Sequence, residues 1–191
     1  ALETNFSFDG LEEGITYTAK AFARLWEQDF VMESQIFPDD RWVDLGLSVL
    51  WARYNVGATS PEEYGGYYAW GETEEKSSYS CENYKYYNSS TDSFINIGDD
   101  ISGTQYDVAH VKWGDGARMP RLAEIKELLN NCSWSGSTYN GVKGMTVKGQ
   151  NGNSIFLPVA GEYYDDYLED RGDYGAYWSG TRDSGTGAID F

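Results

Sequence analysis

Basic residues are scarce in this chain of 191 residues: 14 Lys and Arg stand against 31 Asp and Glu, for a formal net charge of -17. Nucleic acids are bound through Lys- and Arg-rich surfaces, so this charge argues against a nucleic-acid partner. It argues against binding to anionic membranes for the same reason. A basic partner, calcium or plain solubility remain compatible with an acidic surface.

Cysteine and histidine are also rare, which limits the available chemistry. Cys81 and Cys132 permit one disulfide bond, but two free thiols fit the sequence equally well. His110 is the single histidine, so it is the one imidazole available for a His-based metal centre or a Ser-His-Asp triad. No apolar run is long enough to span a bilayer, and we expect no direct membrane insertion.

No signal peptide is visible, and the chain begins at Ala1 rather than at an initiator Met. We therefore expect that any targeting segment has been removed from the natural protein. Aromatic residues, in contrast, are plentiful, with 16 Tyr, 7 Trp and 8 Phe. Acidic chains tend to be disordered when aromatic residues are few, so this one is expected to bury a core.

The clearest helical pattern lies at about residues 120–131. Four apolar side chains recur there at helical spacing and predict one buried face: Leu122, Ile125, Leu128 and Leu129. Pro120 suits a helix start, because the N–H that it lacks would be unpaired there. Most of the remaining sequence is typical of short strands and Gly- and Tyr-rich loops. The predicted fold class is α+β, with one main amphipathic helix and additional N-terminal strands.

Residues 1–37 predict a strand, a turn and further strands, and we place a domain boundary near residue 38. The order Leu11, Gly14, Tyr17 and Ala21 resembles the E–F corner of fibronectin type III domains, in which a Tyr hydroxyl bonds back to the backbone. The resemblance implies a fibronectin III-like β fragment or accessory strands at 1–37. Residues 38–191 then form the main domain.

Within the main domain, turn signals and alternation predict the local structure. The predicted segments are a hairpin at 42–58, a short helical turn from Ser60, an aromatic strand after Gly65-Gly66, little regular structure over 74–107, hairpin turns at Asn140-Gly141 and Asn151-Gly152, a loop at 162–174, and strands at 176–179 and 187–191.

Several short motifs in this domain occur in the order found in one known family. They include Val43-Asp-Leu-Gly-Leu, Tyr67-Tyr-Ala-Trp-Gly-Glu, Arg118-Met-Pro, Glu127-Leu-Leu-Asn-Asn-Cys-Ser-Trp, Gly152-Asn-Ser-Ile-Phe-Leu-Pro and Tyr177-Trp-Ser. Residues 41–191 thereby resemble the Fibrobacter-type major paralogous domain of Bacteroidetes surface and secreted proteins. The resemblance implies a C-type-lectin-like fold and an extracellular or cell-surface location. Lipid anchoring through a segment outside this chain is one way in which such a protein is held at the surface. Some relatives vary their C-terminal ligand-facing loops, and others resemble adhesin or pilus-tip modules.

The sequence departs from the family pattern at two points. Arg121 stands where the family usually has Thr, so only the Glu124 half of a capping box is expected, at a cost of roughly 1 kcal/mol at the helix start. The family also usually continues with a last hairpin beyond the position of Phe191. Either residues 1–37 supply the closing strands or the fold is shortened.

The segment 162–174 is the most suggestive surface, because Tyr rings combine a large apolar face with a polar tip and carboxylates accept hydrogen bonds from sugars or cations. With two neighbours, the candidate ligand-binding residues are Glu162, Tyr163, Tyr164, Asp165, Asp166, Tyr167, Asp173, Tyr174, Trp178 and Arg182. A solvated acidic loop whose tyrosines pack locally explains the same pattern. Calcium bound by Asp165, Asp166, Glu169, Asp170 and Asp173 is a further alternative, although the spacing matches no EF-hand.

No pair of carboxylates or activated nucleophile stands out, so we expect no enzyme activity. The other tryptophans of the family motifs (Trp51, Trp70, Trp113 and Trp134) are expected in the core rather than at sugar platforms. The predicted function is a non-catalytic, adhesin-like recognition module that binds a glycan or a protein. The alternative is a structural module of a larger surface or pilus-like assembly.

Overall fold

A computed structural model of the chain describes residues 40–114 and 116–182, together with the backbone pairing of two short N-terminal strands. The chain divides into two compact units, Ala1–Arg41 and Trp42–Phe191. In the first unit, β1 (Tyr17–Thr18) pairs antiparallel with β2 (Phe37–Pro38). The rest of the predicted fibronectin-like fragment lies outside the described residues, as does the predicted strand at 187–191.

The second unit is a mixed α+β structure, which confirms the predicted class. Its described part contains small antiparallel sheets, two α-helices and one 3₁₀ turn: β3 (Trp42–Val43), β4 (Trp51–Ala52), the 3₁₀ turn (Cys81–Asn83), β5 (Tyr87–Asn88), β6 (Ser93–Phe94), α1 (Val108–Trp113), α2 (Leu122–Asn131), β7 (Ser133–Tyr139), β8 (Val142–Lys148), β9 (Ser154–Pro158), β10 (Glu162–Tyr164) and β11 (Tyr167–Glu169). Neither helix in the described ranges is long and apolar enough to cross a bilayer.

The three-stranded sheet β7–β8–β9 is the largest of these sheets, and both of its turns agree with the prediction. Asn140 and Gly141 form the two-residue loop between β7 and β8, with φ values of 47° and 86°. This left-handed pair is the conformation that Asn-Gly favours in hairpins. The predicted hairpin at 42–58 is also confirmed, in the short pairing of β3 with β4.

Helix α2 begins at Leu122 and ends at Asn131, close to the predicted limits. Ile125 and Leu128 are buried in a cluster with residues from β3, β4, β8 and β9. Leu129, which was predicted on the buried face, is instead 46% exposed. The stripe of α2 that packs on the sheet is therefore narrower than the apolar periodicity suggested.

The start of α2 is capped by groups from two places in the chain. The N–H of Arg121 donates to Glu124 Oε2 at 2.7 Å, which is the expected half of the capping box. A guanidinium offers only donors, so Arg121 cannot supply the other half. The missing hydroxyl comes from Thr181, whose Oγ1 accepts from the N–H of Leu122 at 3.1 Å. Arg118 adds a bidentate pair to Glu124, and although burial opposes it, this pair helps hold the pKa of Glu124 below its usual value.

Helix α1 was not predicted from the sequence. Its N-cap is Asp107, whose carboxylate accepts from the N–H groups of Ala109 and His110. Val108 and Ala109 are buried with Ile101 and other apolar side chains in a second core cluster. An Asp followed by apolar residues three apart was the signal that the sequence offered for this short helix.

The predicted aromatic strand after Gly65-Gly66 is wrong, because residues 65–70 form no strand. Side chains satisfy its carbonyl groups instead: Tyr79 Oη donates to Tyr67 O at 2.5 Å, Trp178 Nε1 to Tyr68 O at 2.7 Å, and Tyr84 Oη to Trp70 O at 2.8 Å. A buried backbone must find partners, and here distant aromatic residues supply them in place of a neighbouring strand. The Tyr84 side chain is partly buried where it makes this hydrogen bond, and burial raises the pKa of its hydroxyl to about 12.

Four smaller predictions have mixed outcomes. The strand predicted at 176–179 is wrong, because these residues form no strand. The flanking residues Gly175 and Thr181 form only isolated bridges. The helical turn at Ser60 is a single turn, in which the N–H of Glu63 donates to Ser60 O at 3.2 Å. Cys81 and Cys132 are free thiols. The low content of regular structure over 74–107 is as predicted.

Candidate recognition surface

The predicted 162–174 loop contains a two-stranded hairpin, which the sequence analysis missed. Strands β10 and β11 pair antiparallel, with Tyr164 opposite Tyr167 and Glu162 opposite Glu169. Asp165 and Asp166 form the turn, and Asp165 has a φ of 52°. Asp tolerates this left-handed conformation better than most residues, so the Asp-Asp pair was a turn signal within the acidic run.

Side chains alternate between the two faces of the hairpin, as strand geometry requires. Tyr164 and Tyr167 lie on the face that points to solvent and are 70% and 72% exposed. Glu162 and Glu169 are exposed on the same face. These four residues form the outer face of the hairpin. The hairpin therefore presents two tyrosines side by side, with a carboxylate next to each along its strand.

Tyr163 lies on the opposite face and supports the hairpin. Its ring packs edge-on against Tyr67, with centroids 5.2 Å apart, and lies 4.7 Å from the ring of Tyr79. Tyr79 also donates its backbone N–H to Asp165 O at 2.9 Å, and Tyr67 Oη donates to Ala160 O at 2.6 Å. Tyr163 was predicted to contact ligand, but the structure half-buries it among aromatic residues that anchor β10.

The carboxyl-terminal part of the predicted site lies around the base of the hairpin. Tyr174 is partly exposed, and its carbonyl accepts from the N–H of Gly161 at 2.8 Å. Asp173 forms a surface ion pair with Lys143 at 3.0 Å. Asp166 is exposed at the turn.

Trp178 and Arg182, the two outlying candidates, are held by different segments. Trp178 is 40% exposed while its indole N–H donates to Tyr68, the neighbour of the Tyr67 that packs on Tyr163. Arg182 donates its backbone N–H to Asp99 O at 2.8 Å, on the segment that precedes α1. The backbone contacts of Arg182 therefore place it with Asp99, whereas Trp178 is connected to the hairpin through the 67–68 segment.

Two cations close to the hairpin, Arg171 and Lys143, are engaged by groups other than the outer face. Arg171 lies two residues after the end of β11, but its guanidinium lies over the ring of Tyr64, 4.3 Å from the centroid. Lys143 is paired with Asp173. Between residues that the structure describes, no salt bridge involves Glu162 or Glu169. Like charges directly opposite in a hairpin destabilise it, so this Glu–Glu pair works against the pairing of β10 with β11.

The calcium alternative required several carboxylates to converge. Over residues 40–114 and 116–182, no group of three or more His, Cys, Asp or Glu side chains is arranged to hold a metal ion. Asp165 and Asp166 lie in the hairpin turn, Glu169 lies on β11, and Asp170 and Asp173 follow that strand. The structure therefore gives this alternative no support.

A polar cleft of about 240 Å³ lies apart from the hairpin and was not predicted from the sequence. It is lined by Gly71, Glu72, Thr73, Glu74, Lys76, Asn83, Lys85, Tyr86 and Gln105. Glu72 is buried, but its two oxygens already accept from Lys76 Nζ at 2.8 Å and from the N–H of Lys85 at 2.7 Å. Glu72 and Lys76 lie outside any helix, so their spacing in the sequence did not predict this ion pair. Because both Glu72 oxygens have partners within the chain, the burial of this carboxylate does not by itself indicate a ligand in the cleft.

Comparison with known proteins identifies no relative: no protein-family model matches the sequence, and no curated protein or solved structure does either. The resemblance to the Fibrobacter-type domain therefore stays a prediction from the sequence motifs. The functional argument rests on the geometry of the outer face itself.

Proposed function

We propose that this chain is a non-catalytic recognition module that binds a glycan or a protein through the outer face of the β10–β11 hairpin. The observation that carries the proposal is the side-by-side exposure of Tyr164 and Tyr167, at 70% and 72%. Two exposed rings on one rigid element form an apolar platform with hydroxyl groups at its edge. Tyr is favoured at recognition surfaces because it offers large contact area at low cost in conformational entropy.

The support beneath the hairpin also favours binding. Tyr163 is packed between Tyr67 and Tyr79, so the backbone that carries the outer face is anchored on its inner side. A preorganised surface loses less entropy when a ligand binds, and more of the contact energy therefore appears as affinity. A solvated loop whose tyrosines pack locally accounts for Tyr163 but not for the exposure of Tyr164 and Tyr167.

The proposal extends to the fold and location that the sequence motifs imply. We assign the second unit to the C-type-lectin-like group and the protein to the cell surface or the extracellular space. The mixed α+β architecture with few regular elements is compatible with that fold, and the ordered series of family motifs supports the location. The net charge of -17 fits a surface that meets water, a glycan or a basic protein.

A structural role in a larger assembly is the second candidate, and one observation favours it. Phe94 and Ile95, at the end of the β5–β6 hairpin, are both more than half exposed. Exposed apolar side chains in adjacent positions are typical of protein contacts. In this alternative the contact through Phe94 would connect the module to its neighbour, and the outer face would have no ligand of its own.

A glycan array probed with the purified chain, with calcium and again with chelator, tests the proposal. The variant Tyr164→Ala/Tyr167→Ala should lose any hit, whereas the matched variant Phe94→Ala/Ile95→Ala should keep it. A hit that survives in the first variant would place the ligand elsewhere. A hit that disappears in chelator would restore the calcium alternative.

A blank array needs a second measurement, because the ligand can be a protein. The same two variants are then compared in a pull-down from cell-surface extract. Capture lost only in Tyr164→Ala/Tyr167→Ala supports the recognition module, and capture lost only in Phe94→Ala/Ile95→Ala supports the assembly module.

A further inference from the structure

We propose that the ligand of the outer face is an extended polypeptide segment carrying closely spaced arginines, of the form Arg-X-Arg. This inference rests on the proposed function and narrows it, since it selects a cationic protein ligand over a glycan. It is carried by the arrangement of two Tyr and two Glu side chains in register across the hairpin, and by the fact that no described residue forms a salt bridge with either glutamate.

The register defines two parallel tracks on the outer face. One track is Glu162 with Tyr164 on β10, and the other is Glu169 with Tyr167 on β11. Directly opposite residues of a hairpin lie about 5 Å apart, and residues two apart on one strand are about 7 Å apart. Each ring therefore has a carboxylate within reach of a group that lies on it.

A guanidinium fits such a track better than other common groups do. It can lie flat on a Tyr ring through cation–π attraction and direct its N–H groups at a carboxylate in the same plane. Both contacts are available on each track. In an extended segment, side chains at alternate positions point the same way, about 7 Å apart, and long, flexible arginine side chains can converge from that spacing onto tracks that lie about 5 Å apart. Two arginines separated by one residue can therefore occupy both tracks together.

In the described part of the chain, two cations near this surface are engaged by other groups. Arg171, the cation nearest in sequence, lies on the ring of Tyr64 instead. That contact is an internal example of the Arg-on-Tyr geometry proposed for the ligand. Lys143 is engaged by Asp173 at the base of the hairpin. The opposed carboxylates of Glu162 and Glu169 remain as a local cost to the hairpin, which a cationic ligand would relieve.

A matched pair of variants tests the charge of the ligand. The probe is a fluorescent peptide with two Arg-Ser-Arg units, and its affinity for the purified chain is measured by anisotropy at low salt. Glu162→Gln/Glu169→Gln should weaken binding about tenfold, since two exposed ion pairs together are worth that much. Glu82→Gln/Asp99→Asn removes the same net charge from two other exposed positions and should change affinity by less than about twofold.

Two further comparisons test the tyrosine rings of the chain and the guanidinium groups of the peptide. Tyr164→Phe/Tyr167→Phe keeps the aromatic faces and should bind within about twofold of the natural chain, whereas the double change to Ala should weaken binding about tenfold. A peptide with Lys in place of Arg should bind about fivefold more weakly. An ammonium group cannot lie flat on a tyrosine ring and also donate two parallel hydrogen bonds to a carboxylate. Circular dichroism and the urea midpoint of each variant show that the fold is intact.

The outcomes separate this inference from the proposed function. Equal peptide binding by the two charge variants would overturn the inference; a glycan hit that depends on Tyr164 and Tyr167 would then leave the proposed function standing. Peptide binding that depends on both the glutamates and the tyrosines would uphold both. No binding of peptide, glycan or extract protein that depends on the tyrosines would overturn both.

Discussion

Removal of the Asp107 carboxylate should destabilise the second unit more than any other acidic substitution described here. Asp107 is fully buried, and its two oxygens accept four backbone N–H groups. Ala109 and His110 donate to Oδ1 from the first turn of α1, at 2.8 and 3.1 Å. Gly103 and Met119 donate to Oδ2 from two other segments, each at 2.8 Å. One side chain therefore joins three stretches of backbone.

The magnitude follows from these contacts. A hydrogen bond to a charged group contributes about 1.5–3 kcal/mol, and a buried donor left unpaired costs about 1–3 kcal/mol. The four contacts are not additive, and the change also ends the cost of burying a charge, so we expect Asp107→Ala to lower the free energy of unfolding by about 4 kcal/mol. Asp107→Asn keeps one acceptor oxygen but turns an NH₂ group toward two donors, and should cost about 2 kcal/mol.

Urea denaturation followed by tryptophan fluorescence measures both values. Asp99→Ala is the matched control, because Asp99 is exposed and should change stability by less than about 0.5 kcal/mol. Asp107→Asn should fall between the control and Asp107→Ala. A loss below about 1 kcal/mol for Asp107→Ala would refute the reasoning, since it would mean that water replaces the carboxylate at all four donors.

Three other outcomes follow from the same structure. Tyr163→Ala should lower the free energy of unfolding by about 2 kcal/mol because two aromatic contacts are lost, whereas Tyr164→Ala should change it by less than about 0.5 kcal/mol in the same urea assay. Thr181→Val should cost about 1 kcal/mol through loss of the α2 cap, and Thr181→Ser should restore most of it; equal stability of the two variants would contradict the capping role. Burial, with a smaller effect of a nearby carboxylate, raises the pKa of the Cys132 thiol, so a thiol reagent at mildly alkaline pH should modify exposed Cys81 first. Equal rates at the two thiols would show that Cys132 is more open than the structure indicates.

Local patterns predicted well those elements whose stability is local. The Asn140-Gly141 turn forms because few other residue pairs adopt left-handed conformations at both positions so readily. Helix α2 follows from apolar spacing, and its limits lie close to the predicted ones. The α+β class follows from one strong helical pattern among many short strand and turn signals.

The errors occur where distant residues supply the partners of a backbone segment. Residues 67–70 have the aromatic composition of a strand, yet they form none because Tyr79, Tyr84 and Trp178 donate to their carbonyl groups. The cap that Arg121 lacks comes from Thr181, which is 59 residues away from Leu122. Such contacts leave no periodic signal in the sequence.

The candidate site shows the same division. Its residue types and its position at 162–174 were evident from composition, because Tyr and Asp side chains carry their chemistry wherever they lie. Their separation into an exposed outer face and a half-buried Tyr163 depends on the alternation of a hairpin that was predicted as a loop. Only the packing of β10 against Tyr67 and Tyr79 establishes which face meets solvent. Residue chemistry is a property of the chain, whereas the direction in which each side chain points is set by contacts between segments far apart in it.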